Sequence, residues 1–491
     1  MRALALLAVL LFAAPAAAAP QVTIAQGTLA GTTDGGIDSY KNIPYAAPPL
    51  GDLRWRSPQQ APLWTAVRDA STFGPACPQN VTGGLMAAAH LPQSEDCLTL
   101  NVWTPALHAA RLPVMVWIHG GGFTEGSAAI PRYDGAELAR HGVVLVSFNY
   151  RLGRLGFFAH PALREGANFG LLDQIAVLQW VKANIAAFGG DPNNVTLFGE
   201  SAGGGSVEIL MTLPAARGLF ARAISESGAV LFGAAPLADA RKDALTLAAR
   251  IGATDLKALR AASVAQILAG GGDETTGLIA DGQSLPVAPP IAFAKGHFAA
   301  IPYLTGTNSN EGSELGDGNA DWLTQPLGDR LGAVRALYEL GGTLSDGEFH
   351  RQLFSDRFFG GSARLLAGYT SLAMPTYVYR FGFLSLRAHR RGETGVPHGG
   401  ELAFVFGFGP LRAFAPPQDV AVTDMMQTYW TNFARTGDPN GEGVPPWPRF
   451  EGAHPQTLVI EDTAHAVADY RKAQFDLVMR DWAQKTGLAL P

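Results

Sequence analysis

Apolar and polar residues follow one another along this chain in blocks of two kinds. A short unbroken apolar run stands at 114–118, and another, apolar but for Ser147, at 143–148. Runs of this length and character read as strands covered on both faces. A third run, 195–198, follows Asp191-Pro192-Asn193-Asn194, whose residue types predict a turn. Residues 98–103 alternate and read as another strand. Helical spacing separates these runs. Leu171, Ile175, Leu178, Val181 and Ile185 fall on one stripe of a helix predicted over 171–187. Further helices are predicted from Ser206 onward, within 237–268, within 322–373, and over 425–434, where Gly437 ends the pattern. Later strands are predicted at 222–228, at 303–306, at 376–383 and, peripherally, at 458–460. The Pro- and aromatic-rich segment 40–49 reads as an ordered surface loop, because Pro is excluded from helix interiors and central strands. Strands alternating with helices predict an α/β fold, with a mostly parallel central sheet and helices on both faces. The helical blocks between the late strands are expected to cap the C-terminal edge of the sheet, where open α/β sheets bind ligands.

Composition narrows the class. The chain has 491 residues, 47% hydrophobic and 16% charged, with a net charge of −6. That balance describes a globular protein and gives no sign of nucleic acid or an anionic membrane as partner. The first residues form a targeting segment: Arg2, an apolar run over 3–12, and small residues over 13–19. Cleavage is expected after Ala18. No other stretch is long and apolar enough to span a bilayer. The chain has two cysteines, Cys77 and Cys97, and in an exported protein two is the smallest number that can pair.

Candidate chemistry centres on Gly199-Glu200-Ser201-Ala202-Gly203, placed where a strand turns into a helix. A serine held on such a sharp turn is an exposed nucleophile, and the turn needs small flanking residues. In a Gly-rich chain the five residues alone are weak, so the partners decide. A strand-elbow-helix protein places an acid and then a histidine after the serine. The late histidines are His350, His389, His398, His454 and His465. His398 lies in a Gly-rich loop after the last good strand, the position that suits a base. Glu311 closes an earlier strand, with Glu314 and Asp317 as neighbouring acids. Gly120-Gly121-Gly122 offers unobstructed N–H groups, which with that of Ala202 would make an oxyanion hole.

These residues carry a resemblance. The run from Phe188 through Gly199-Glu200-Ser201-Ala202-Gly203 resembles the serine signature of the type B carboxylesterase/lipase family, the α/β-hydrolase branch that includes cholinesterases. Glu95-Asp96-Cys97-Leu98-Thr99-Leu100-Asn101 resembles its second signature. His119 to Gly122, Asn308 to Gly312, His398-Gly399-Gly400-Glu401 and Trp430 to Ala434 fit as well. The resemblance implies one α/β-hydrolase domain over 19–491 and a serine carboxylesterase with no cofactor and no metal. It implies a triad of Ser201, Glu311 and His398, oxyanion donors at Gly121, Gly122 and Ala202, and a Cys77–Cys97 disulfide. It places Glu200 as negative potential beside the histidine, and Ser227 as a hydroxyl supporting the acid. The partner it implies is a small-molecule ester. The oligomeric state stays open, with a monomer as the default. One departure bears on substrate. Between Cys77 and Cys97 there is no Trp, Tyr or Phe, whereas cholinesterases hold the choline cation on an indole in this loop. Two other readings remain: a partner-binding relative that has lost catalysis, and a lipase acting at lipid interfaces.

Overall fold

The computed structural model describes residues 19–80, 90–105, 111–269, 277–316 and 320–491. The targeting segment, residues 81–89 of the loop between the cysteines, and Asp317 lie outside the described residues.

Eleven strands form the main sheet: β1 (Thr32–Asp34), β2 (Ile37–Pro44), β3 (Thr99–Thr104), β4 (Leu112–Ile118), β5 (Val144–Phe148), β6 (Gly190–Glu200), β7 (Arg222–Glu226), β8 (Tyr303–Asn308), β9 (Thr376–Phe381), β10 (Gln456–Ile460) and β11 (Ala464–Ala468). Across the sheet they run β1-β2-β3-β5-β4-β6-β7-β8-β9-β10-β11. From β5 to β10 every neighbouring pair is parallel. Antiparallel strands close both edges.

The central runs are apolar throughout because the pleat sends successive residues to opposite, equally covered faces. In β4, Val114, Val116 and Ile118 join one core, with the helices Phe169–Asn184 and Ala202–Thr212. Met115 and Trp117 join the other, under the helix Pro417–Thr436. That helix ends at Gly437 with φ 82°, a left-handed position that glycine adopts without a Cβ penalty.

Three sequence expectations are corrected. Segment 40–49 is not a surface loop: its first half belongs to β2, and Tyr40 and Ile43 are fully buried. Pro44 fits because it is the last strand residue, beyond a register shift between Tyr40 and Ile43. The turn at 191–194 lies inside β6 as a bulge. Leu112 pairs with Gly190 but Val114 with Val195, and Asp191 Oδ1 accepts from Asn193 N at 2.9 Å. The helix expected from Ser206 begins at Ala202, directly after the candidate nucleophile. The block 322–373 is helical as predicted, and one of its turns, Ser355–Gly360, is a π-helix. Such turns are rare and frequently sit at functional sites.

Candidate active site

Ser201 joins β6 to the Ala202–Thr212 helix with φ 57° and ψ −123°, a strained conformation for a residue with a side chain. Packing explains the flanking glycines. A Cβ on Gly203 would lie 2.0 Å from Ile118 O, and one on Gly199 would lie 2.6 Å from Gly203 C. Ser201 N donates to Glu226 O at 2.9 Å, and Gly205 N donates to Ser201 O at 2.8 Å. The elbow is therefore held on both sides while its side chain stays partly exposed.

The glycine loop after β4 packs against this elbow. A Cβ on Gly120 would meet Ser201 Cβ at 3.0 Å. Gly121 and Gly122 take φ 104° and 61°, and Gly121 O accepts from Thr124 N and Glu125 N, both at 3.0 Å. Among the described residues no acceptor takes the N–H of Gly121 or Gly122. Ala202 N–H lies in the first helical turn, where no intrahelical acceptor exists. Three donors are thus free beside Ser201.

Glu311 opens the 3₁₀ turn that follows β8 and is 1% exposed. Its Oε1 accepts from Ser227 Oγ at 2.6 Å and from Asn308 N at 2.5 Å. Its Oε2 lies 2.5 Å from His398 Nδ1. Ser227 itself has φ 49°. The loops bearing Glu311 and His398 are stitched together. Val396 N donates to Ser309 Oγ at 2.7 Å, Asn310 N to Val396 O at 2.8 Å, and His398 N to Ser313 Oγ at 2.9 Å. Phe359, on the π-helical turn, lays its ring 4.8 Å from the His398 ring. His398 Nε2 faces Glu200 Oε1 at 3.2 Å. No hydrogen bond joins it to Ser201 Oγ among the described residues.

Electrostatics follow from burial. Desolvation alone would lower the His398 pKa, but the carboxylates of Glu200 and Glu311 outweigh it and raise it. Desolvation works against Glu311 too, yet His398, Ser227 and Asn308 hold its pKa below the ordinary value. Glu200 is pushed up to about 8, chiefly by burial. Two further acids share the layer and carried no role in the sequence reading. Glu226 accepts from Trp430 Nε1 at 2.7 Å, and Glu401 accepts from Asn308 Nδ2. Burial raises both, Glu401 to about 7. Glu401 sits inside a matched motif and Glu226 at the end of a predicted strand, but nothing local says that either is buried.

Of the predicted residues, Ser227, Glu311, His398 and Glu200 form one contiguous set, with Ser201, Ala202 and the glycine loop beside it. Glu314 is not among the contacts of His398 Nδ1. Cys77 and Cys97 form a disulfide with Cα atoms 5.1 Å apart. Two residues on, Gln79 Nε2 donates to Gly126 O at 2.9 Å and Gly126 N donates to Gln79 Oε1 at 2.8 Å, which ties the disulfide loop to the glycine loop. No group of three or more His, Cys, Asp or Glu among the described residues is arranged to hold a metal. No helix among them is long and apolar enough to cross a membrane.

The sequence pattern of the carboxylesterase family matches residues 18–323 and 345–478. The chain is 38% identical over 456 residues to fumonisin B1 esterase of Sphingopyxis macrogoltabida, covering 85% of this chain and 82% of that protein. It is 36% identical over 471 residues to para-nitrobenzyl esterase of Bacillus subtilis (strain 168), covering 90% and 94%. It is 36% identical over 501 residues to liver carboxylesterase of Sus scrofa, covering 89% and 88%. A solved structure titled PNB esterase superposes with a TM-score of 0.83 at 33% identity, over 93% of this chain and 99% of that one.

Proposed function

The chain belongs to the carboxylesterase family and hydrolyses carboxylic esters, and from that premise we propose that Ser201, His398 and Glu311 carry the reaction. The observation that supports this best is the strained Ser201 elbow beside the 2.5 Å Glu311–His398 contact. Ser201 Oγ attacks the ester carbonyl carbon while His398 Nε2 takes its proton. The carbonyl oxygen, now an oxyanion, accepts from the N–H groups of Gly121, Gly122 and Ala202. The imidazolium is stabilised by Glu311 at Nδ1, and Glu200 adds negative potential at the far nitrogen. Its proton goes to the leaving alkoxide as the C–O bond breaks, leaving an acyl-enzyme and an alcohol. Water repeats the cycle and releases the acid. The Ser201–His398 hydrogen bond forms as substrate settles, because such bonds often tighten only in the Michaelis complex.

Further parts of the reading concern the whole chain. Residues 1–18 direct export and are removed, and residues 19–491 work as one unit, as a monomer. The buried Cys77–Cys97 pair supports an oxidising compartment. The substrates are small neutral esters, and fumonisin B1 belongs in the test panel because a relative is named for it.

Ser201→Ala tests the assignment. Turnover should fall by on the order of 10⁴–10⁶ with the fold retained. Retention of more than about a tenth of wild-type activity rejects it. A burst of chromogenic alcohol from the unaltered chain excludes a partner-binding relative without catalysis. Equal or lower rates on emulsified than on dissolved esters exclude an interfacial lipase.

A further inference from the structure

A cavity of about 590 Å³ lies on the far side of the loop that carries His398. Val396, Pro397 and Gly400 form one wall of it. Phe383, Phe404 and Phe408 add aromatic surface, the first two fully or nearly buried. Leu411 and Phe414 stand at 68% and 85% exposed and also line it. Large apolar side chains grouped at the edge of a concavity mark a place where something binds.

The charges around it are sorted. Arg387 and Arg391 line the cavity and are exposed. Arg387 makes no ion pair among the described residues, and Arg391 reaches Glu393 only at 3.9 Å. Arg390 follows Arg387 on the short helix Leu386–Arg390, so the patch is basic on a chain of net charge −6. Arg132, also lining the cavity, donates to Gly399 O at 3.3 Å and so touches the histidine loop directly. Asp419 lines the cavity as well, but it is 5% exposed, and its Oδ1 has no hydrogen-bond partner among the described residues.

The geometry points to a second ligand site here, for a single-chain amphiphilic anion: an alkyl carboxylate with its tail along Phe383, Phe404 and Phe408 and its head on Arg387 and Arg391. Arginine suits this head, since its planar fork matches a carboxylate bidentately. Buried Asp419 repels an anionic head from the inner wall while the exposed arginines draw it outward, so the ligand lies head-out. Its tail presses on Val396, Pro397 and Gly400, the residues that flank His398. Only the consequence for turnover rests on the esterase reading: a carboxylate is what that reaction releases, and occupancy would alter kcat without competing for the ester site.

Calorimetric titration of the full chain with octanoate, decanoate and dodecanoate, each below its critical micelle concentration, tests the site. One carboxylate should bind per chain, with affinity rising about fourfold for each methylene until the groove is filled. The double variant Arg387→Glu, Arg391→Glu should weaken dodecanoate by about tenfold or more. Its kcat/KM on a short neutral ester should be unchanged without ligand, and the effect of dodecanoate on kcat should vanish. Dodecylammonium should bind more weakly than dodecanoate. Undiminished affinity in the double variant places the carboxylate elsewhere, the ester site included, and overturns the inference. So does tighter binding of dodecylammonium, which would make Asp419 the recognition group. Binding to anionic vesicles but to no monomeric carboxylate, or no binding at all, overturns it as well. None of these outcomes bears on Ser201, whose variant is tested separately.

Discussion

Glu200 presents Oε1 3.2 Å from His398 Nε2, on the opposite side of the imidazole from Glu311. The His398 imidazole therefore stands between two carboxylates. Neither carboxylate oxygen of Glu200 makes a hydrogen bond among the described residues, so Glu200 acts on the imidazole as a nearby charge.

Replacing Glu200 by Gln removes one of the charges that raise the His398 pKa. That pKa should fall, and the acid limb of the kcat/KM profile should move to lower pH by about one unit or more. The plateau should drop as well, because the imidazolium in the transition state loses a counter-charge; one pKa unit corresponds to about 1.4 kcal/mol, or tenfold. A pH–rate series on a neutral ester measures both. An unmoved acid limb would show that Glu200 does not act on the base.

Stability should respond to pH through the buried acids. The folded-state pKa of Glu226 is raised above its ordinary 4.5, first by desolvation and then by Glu401. A group raised in this way favours the folded state fully below its unfolded pKa, and that contribution is lost as pH rises through the folded value. Glu200, at about 8, and Glu401, at about 7, act in the same direction. Urea midpoints should therefore decline from about pH 4.5 to 8. Glu226→Gln keeps the acceptor for Trp430 and should make that decline shallower. An unchanged slope would contradict the assignment.

The disulfide closes a loop of 20 positions, which the chain-entropy model values at roughly 3 kcal/mol. The double variant Cys77→Ser, Cys97→Ser should lose stability of about that size. It should also lower kcat more than it raises KM, since Gln79 ties this loop to Gly126 and hence to the glycine loop of the proposed oxyanion donors. Thiol titration of the unfolded, unreduced protein should find no thiol. Two reactive thiols per chain would reject the pairing.

Substrate preference should exclude choline. A desolvated ammonium over an aromatic face gains roughly 2 kcal/mol or more, and the segment between Cys77 and Cys97 offers no such ring. A neutral alkyl ester should therefore exceed its choline isologue in kcat/KM. Preference for the choline ester, with inhibition by a simple quaternary ammonium, would point to an aromatic cation site elsewhere in the chain.

Much of this arrangement was legible in the residues because the physics there is local. A strand buried on both faces must be apolar throughout, as β4 is, and a tight strand-to-helix turn must have glycine where Ile118 O approaches Gly203. The misreadings came where a local rule met a tertiary exception. Pro44 is tolerated in β2 because it is the terminal residue, and the bulge in β6 hides a turn inside a strand. Glu226 and Glu401 were invisible as a buried layer because their partners, Trp430 and Asn308, are 204 and 93 positions away.

Ser201 follows β6, Ser227 follows β7, Glu311 follows β8 and His398 follows β9, four strands that lie side by side. On the proposed assignment, competence for ester cleavage is thus a late event in the folding of each molecule. Strands far apart in sequence pair slowly, because loop closure must precede the contacts that reward it. On that assignment, a growing chain that has made its first seven strands carries the serine without its acid or its base and should be inert. In a refolding experiment, the return of helical ellipticity should therefore run ahead of the return of hydrolysis, and the lag between them times the docking of β8 and β9.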